Sequence, residues 1–245
     1  MRKTAEQMVS ARQHTRLTIA AIAALLVLTA FTVPSCTVGV ETVYLDTIDG
    51  IQIEADVIRT DTYPAKAVVI IGHPHPLHGG DRFNPVVRAM QEAAASHGCH
   101  SIAVDFRGVN NSGGVHDDGD SERLDLAAAC ELAEMIEPEC PIIMTGYSFG
   151  SMVALNVTNP WIAAWIAVAP PLPLMKSTPL AAQNSRPKIL IAPEHDQFTD
   201  PTALRAATSS WTNTVIVELP HVDHFIAMGA LAACKNALNS VLGQM

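Results

Sequence analysis

The chain has 245 residues, 49% of them apolar and only 16% charged, enough apolar length to fill the core of one mixed α/β domain. Residues 1–35 hold Arg2, Lys3, Arg12 and Arg16 against Glu6, a net of +3; the total is −9, so the remainder carries −12. That acidic body excludes nucleic acid as an expected partner and disfavours polyanionic substrates, since both need clustered positive charge.

Leu17–Val33 is an uncharged apolar run with basic residues before it. A positive region, a hydrophobic region and then small residues read as an export leader over 1–35. At 17 residues the run is also at the lower limit for a membrane-spanning signal anchor. Val33-Pro34-Ser35-Cys36 resembles a bacterial lipobox, which implies a lipid anchor on Cys36 as first mature residue. The expectation is an exported protein, either membrane-anchored or secreted to the periplasm. Cys99, Cys130, Cys140 and Cys234 remain in the body, with no C-x-x-C pair of the zinc or redox kind. Cys130 and Cys140 could approach each other; buried free thiols are the alternative.

In the body, apolar periodicity alternates between strand and helix. Thr42–Ile48 and Ile51–Arg59 read as strands around the turn Asp49-Gly50. Ala67–Gly72 is a fully apolar strand suited to the centre of a parallel sheet. A helix over Pro85–His97, stopped by Gly98, leads to a strand at Ser101–Phe106. Ser121 is placed to cap a helix over Glu122–Ile136. Then follow strand Ile142–Tyr147, helix Phe149–Val157, strands Ile162–Val168 and Ile189–Ala192, helix Thr202–Ser210, strand Thr214–Leu219 and a last helix from about Phe225 to Leu242. This alternation predicts one α/β domain over 36–245, a mostly parallel sheet with helices on both faces and an antiparallel hairpin at its start. Pro170–Pro187 is long for a connection but too short for a helical lid, so the site is expected to be open or covered by this loop alone.

Gly146-Tyr147-Ser148-Phe149-Gly150 matches G-x-S-x-G between a strand and a helix, the context of a nucleophile elbow. The chain must reverse at Ser148, and the two glycines leave room where a Cβ would collide. A base and its orienter should come later in the chain, just beyond other strand ends, where an open α/β sheet gathers its functional groups. His224 follows the strand TVIVEL and Asp196 follows KILIA. His221, Asp223, His195 and Asp200 lie close in sequence but are less well placed. Charge developing on a carbonyl oxygen needs two N–H donors. Phe149, after the nucleophile, supplies one. In the loop His73-Pro74-His75-Pro76-Leu77-His78-Gly79-Gly80 the prolines have no N–H, so His75 is the second. Histidines 73, 75 and 78 also suggest zinc, but the prolines between them and the lack of an H-E-x-x-H pattern argue against a metal.

HPHPLHGG at 73–80, DFRGVNNSGG at 105–114, GYSFGS at 146–151, PEHDQFTDP at 193–201 and HVDHFI at 221–226 together resemble the α/β-hydrolase superfamily. The likeness, over roughly residues 42–242, is to small lidless members related to dienelactone hydrolases and prolyl-oligopeptidase-like esterases. It implies the α/β-hydrolase fold, a triad at Ser148, Asp196 and His224, and oxyanion donors at His75 and Phe149. Asn110 stands where the family usually has a second glycine, and Pro193-Glu194 replaces the usual glycine before the acid loop. The expected activity is hydrolysis of a small, short-acyl ester through an acyl-enzyme, with no cofactor and no metal. A peptidase or amidase with the same triad is the nearest alternative, and an inactive membrane-anchored binding protein is the alternative of another class.

Overall fold

The computed structural model describes residues 39–227 and 230–244. The leader expected over residues 1–35 and the lipidation expected at Cys36 lie outside them. Among the described residues, no helix is long and apolar enough to cross a membrane.

Eight strands form one sheet: β1 (Val40–Asp46), β2 (Gln52–Ile58), β3 (Val68–Gly72), β4 (His100–Val104), β5 (Ile142–Tyr147), β6 (Ile162–Val168), β7 (Lys188–His195) and β8 (Thr214–Asp223). Their spatial order is β1-β2-β4-β3-β5-β6-β7-β8. The hairpin β1–β2 is antiparallel, as is β2 against β4, and every later pairing is parallel. This is the predicted arrangement, with the apolar strands β3 and β5 at its centre and buried throughout.

Helices cover both faces, as such strands require. On one face α2 (Glu122–Ile136), α3 (Phe149–Ala154) and α4 (Pro201–Ala207) pack Leu126, Cys130, Val153 and Leu204 against Ile70, Ile102, Met144 and Trp165. On the other, α1 (Pro85–Ser96) and α5 (Leu231–Leu242) pack Val87, Met90, Cys234 and Leu238 against Val69, Ile71, Ile143 and Ile166. The four body cysteines are buried and free. Cys130 and Cys140 do not pair, and burial pushes the Cys130 and Cys234 thiols up to about 12.

Several local expectations change. Ser121 does not cap α2: its backbone is already helical, and the Glu122 carboxylate takes the free N–H groups of Asp117 and Gly119 at 2.7 and 2.9 Å. Strand β8 runs past Leu219 to Asp223, because pairing with β7 resumes at His195↔Asp223 after a bulge. The last helix starts at Leu231, not near Phe225, because the chain first makes a turn through His224 and Phe225.

Two buried guanidinium groups hold the strand ends that surround the site. Arg82 reaches Glu54 (2.8 Å), Asp56 (3.0 Å) and Asp105, linking the loop after β3 to β2 and to the end of β4. Arg107 bridges Asp125 of α2 and Asp49 of the hairpin turn, at 2.8 Å each. Its hydrogen bonds hold the Asp49 carboxyl down at about 2. Asn110 takes φ +48° and its amide donates to Asp105 at 2.7 Å, so asparagine holds the left-handed position at which the resemblance leads one to expect glycine.

Backbone approaches backbone closely between β3, the end of β5 and the start of α3. A Cβ on Gly150 would lie 2.3 Å from the Gly72 carbonyl oxygen, and one on Gly146 2.3 Å from the Gly150 carbonyl carbon. Both clashes are with backbone and cannot be relieved by a rotamer change. Gly150→Ala is therefore expected to lower stability by at least about 2 kcal/mol, read as the shift in urea midpoint at unchanged slope.

Candidate active site

Ser148 lies between β5 and α3 with φ +52° and ψ −118°. This is a backbone region that costs a non-glycine residue about 1–3 kcal/mol. The Ser148 N–H is held by the Val168 carbonyl at 2.9 Å, and the Ser148 carbonyl accepts from Ser151 and Met152 N–H at 3.0 and 3.3 Å. Strand pairing and the first helical turn thus impose the bend and keep the side chain at the carboxyl edge of the sheet.

His224 comes to the same edge from β8, and Asp196 from β7. The Ser148 Oγ to His224 Nε2 distance is 2.8 Å, and His224 Nδ1 to Asp196 Oδ2 is also 2.8 Å. With the carboxylate accepting from Nδ1–H, Nε2 is left to accept from the serine hydroxyl. The second carboxylate oxygen accepts from the N–H groups of Phe198 (2.8 Å) and Thr199 (3.0 Å), which fixes the acid in its loop. His224 is held by its backbone as well: its N–H donates to Gln197 Oε1 at 3.2 Å and its carbonyl accepts from Tyr147 O–H at 2.8 Å. Phe198 packs edge-on against the imidazole at 4.4 Å between ring centres. Asp196 and His224 are both buried.

The neighbouring alternatives point elsewhere. His221 is exposed and faces Glu194. Asp200 caps α4 through Thr202 and Ala203 N–H at 2.8 Å. Asp223 accepts from Phe225 N–H at 3.1 Å. His195 is exposed.

The loop after β3 folds around its prolines into a 3-10 turn at Pro76–His78. The N–H groups of His78 and Gly80 both donate to the His75 carbonyl at 3.1 Å, and His75 Nδ1 accepts from Leu77 N–H at 3.2 Å. Gly80 is needed for this: a Cβ there would lie 2.0 Å from the Pro74 carbonyl oxygen. The His75 N–H has no hydrogen-bond acceptor among the described residues. The Phe149 N–H is first in its helix and has no intrahelical acceptor. Both residues line the same cleft as Ser148 and His224. Burial and the nearby rings of His116 and His78 push the His75 imidazole below its ordinary value.

His73, the third histidine of the loop, is fully engaged. Its Nε2 accepts from Phe106 N–H at 3.0 Å, and its Nδ1–H donates to the Pro74 carbonyl at 2.6 Å. Both nitrogens are used, so this ring pins the loop to the end of β4 and has no lone pair left for a metal.

The cleft encloses about 490 Å³. Tyr147, Met152, Leu174, Phe198 and Phe225 supply most of its apolar wall. Pro171 and Leu174 come from the proline-rich loop, which makes one wall and no lid. Tyr147, Gln197, Phe198 and Met152 were not singled out from sequence. Tyr147 is the variable position of the G-x-S-x-G pattern and Gln197 adjoins Asp196, but nothing in the pattern tells that both would hold the backbone of residue 224.

Residues 77–233 match the model of the alpha/beta hydrolase family, more than half of the chain, and the protein belongs to that family. The chain is 27% identical to an alpha-beta serine hydrolase homologue from Coxiella burnetii, whose structure superposes with a TM-score of 0.73 over 82% of this chain and 97% of that one. A serine hydrolase without a lid from Xanthomonas campestris superposes at 0.74 with 24% identity, over 84% and 94% of the two chains. An esterase of Pyrococcus furiosus does so at 0.69 with 21% identity, over 84% and 92%. An uncharacterized protein of Rickettsia prowazekii is 31% identical over 114 residues, 45% of this chain and 48% of that one, so the chain spans about half the length of that relative. The fold is thus that of the α/β-hydrolases, the family to which the chain belongs.

Burial holds the His73 imidazole down at about 4, against an ordinary 6.5. The unfolded chain binds this proton below pH 6.5 and the folded one only below about 4. Stability is then expected to fall as pH drops from 6.5 to 4, by about 3 kcal/mol from this group. Urea unfolding of wild type and His73→Gln at pH 7 and pH 4.5 checks this: the variant starts lower but loses less over the same interval.

Proposed function

We propose that the protein is a carboxylesterase that hydrolyses small esters through an acyl-enzyme, with Ser148 as nucleophile, His224 as base and Asp196 as its orienter. One observation carries the reading: the unbroken chain of two 2.8 Å contacts from Ser148 Oγ through the His224 ring to the Asp196 carboxylate. His224 takes the hydroxyl proton as Ser148 attacks the ester carbonyl, and returns it to the departing alcohol. Asp196 holds the ring in the tautomer that leaves Nε2 free and stabilises the imidazolium. The tetrahedral oxyanion is met by the N–H groups of His75 and Phe149. Water then repeats the attack and releases the acid.

The apolar wall of Met152, Leu174, Phe198 and Phe225 suits an uncharged acyl or alkoxy group. The −12 charge carried outside the leader disfavours anionic substrates. We take residues 1–35 as an export leader and Cys36 as a lipid attachment site, which would hold the enzyme at a membrane. Fatty-acid labelling that is lost in Cys36→Ala is the expected result.

A fluorophosphonate probe is expected to label wild type and not Ser148→Ala, and short acyl esters to be turned over by the first alone. Asp196→Asn should keep the fold and lose about 10⁴-fold in kcat, because the imidazole would sit in the wrong tautomer. Turnover of aminoacyl amides faster than of matched esters would overturn the ester assignment while leaving the triad in place.

A further inference from the structure

Beside the acid and base loops, but outside the cleft, Glu194, His195 and His221 bring three ligand atoms within 4.8 Å of one another. The cause is the bulge at the end of the sheet. Between the pairs Pro193↔Leu219 and His195↔Asp223, β7 has one residue and β8 has three. The surplus is taken up at Pro220, His221 and Val222, with His221 at φ +62°. Proline is tolerated there because β8 is an edge strand.

His221 thereby folds back over the end of β7. Its N–H donates to Glu194 Oε2 at 2.7 Å, its Nδ1 is 3.5 Å from the same oxygen, and its ring lies 6.5 Å from that of His195. Among the described residues, neither imidazole has any other polar partner.

We propose that Glu194, His195 and His221 form a binding site for a divalent transition-metal ion of the zinc class, with water in the fourth position. Two imidazole nitrogens and one carboxylate oxygen suit zinc, cobalt or nickel and are a poor set for calcium or magnesium, which take oxygen ligands. Tetrahedral zinc with ligands at about 2.1 Å needs donor separations of about 3.4 Å. The present separations close to that by rotation of side chains that face solvent, the His221 side chain being 89% exposed. The acidic body adds attraction for a cation.

The position gives the ion a consequence. Glu194 and His195 directly precede Asp196, and His221 lies three residues before His224. A bound ion ties together the two strand ends that carry the acid and the base, and so stiffens the edge of the sheet on which their alignment depends. That consequence rests on the proposed triad; metal binding itself does not.

The test uses the full chain without a histidine tag. Zinc titration by calorimetry, and cobalt(II) titration followed by its visible tetrahedral absorption, are run on wild type, His195→Ala, His221→Ala, Glu194→Gln, His78→Ala and Ser148→Ala. Wild type is expected to bind one equivalent, and saturating zinc to raise Tm by about 5 °C. Each of the His195 and His221 substitutions should weaken binding at least about tenfold and remove the Tm rise. Glu194→Gln should weaken it as well. His78→Ala, in the other histidine cluster, and Ser148→Ala should bind as wild type. Circular dichroism before titration checks that the exposed substitutions leave the fold intact. Absence of zinc binding by wild type, or binding unchanged in both His195→Ala and His221→Ala, or binding that follows His78 instead, would overturn the proposal. Because Ser148→Ala abolishes turnover without touching these ligands, failure of the esterase reading and failure of the metal site remain distinguishable.

Discussion

The contact between β3 and the start of α3 is the constraint on which the site depends. Gly72, Gly146 and Gly150 bring backbone against backbone with no side chain between, and this closeness leaves the chain at Ser148 only a strained turn. The strain is sustained because strand pairing on one side and the α3 helix on the other fix both ends. Relaxing it would move the serine hydroxyl off the sheet edge and withdraw the Phe149 N–H with it. The Ser148 hydroxyl and the Phe149 N–H are therefore set by one packing contact, not by two independent ones.

Around that contact the polar groups are arranged so that little has to move when a substrate arrives. His73 holds the loop after β3 to the end of β4 through Nε2, and its Nδ1–H closes on the Pro74 carbonyl within the loop. Arg82 holds the segment after the loop to Glu54, Asp56 and Asp105. Two amides fix the unused oxygen of Asp196, and Tyr147 fixes the backbone of His224. Buried charges of this kind are costly to desolvate and add little net stability when paired. Here their effect is to specify loop positions, which is the form of preorganisation that a site on loops needs.

The strand and helix pattern was largely legible because both periods were clean. Central strands read as continuous apolar runs and helices carried an apolar stripe, so strand existence and order along the chain follow from local pattern. The errors fall where tertiary partners override local signals. Ser121 has the residue type of a cap, but its backbone is already helical and its hydroxyl donates to the Asp117 carboxylate. Strand β8 and the last helix were misjudged because pairing across a bulge, and the turn holding His224, depend on β7 and Tyr147, which are distant in sequence. The cysteines could not be judged at all from spacing, since only packing tells that each is buried alone.

The sequence by itself determined the class of fold and the set of candidate residues. The G-x-S-x-G pentapeptide, the two prolines of the loop after β3 and the acid and histidine beyond later strands are local features, and local features survive without a partner. Only the tertiary structure decided that Ser148, His224 and Asp196 meet within hydrogen-bond distance, that His221 and His195 turn away, and that the cleft has an apolar wall of Met152, Leu174, Phe198 and Phe225. Those are relations between strand ends brought side by side by the parallel sheet. Sheet register is set by packing over the whole domain, so no window of the chain contains it.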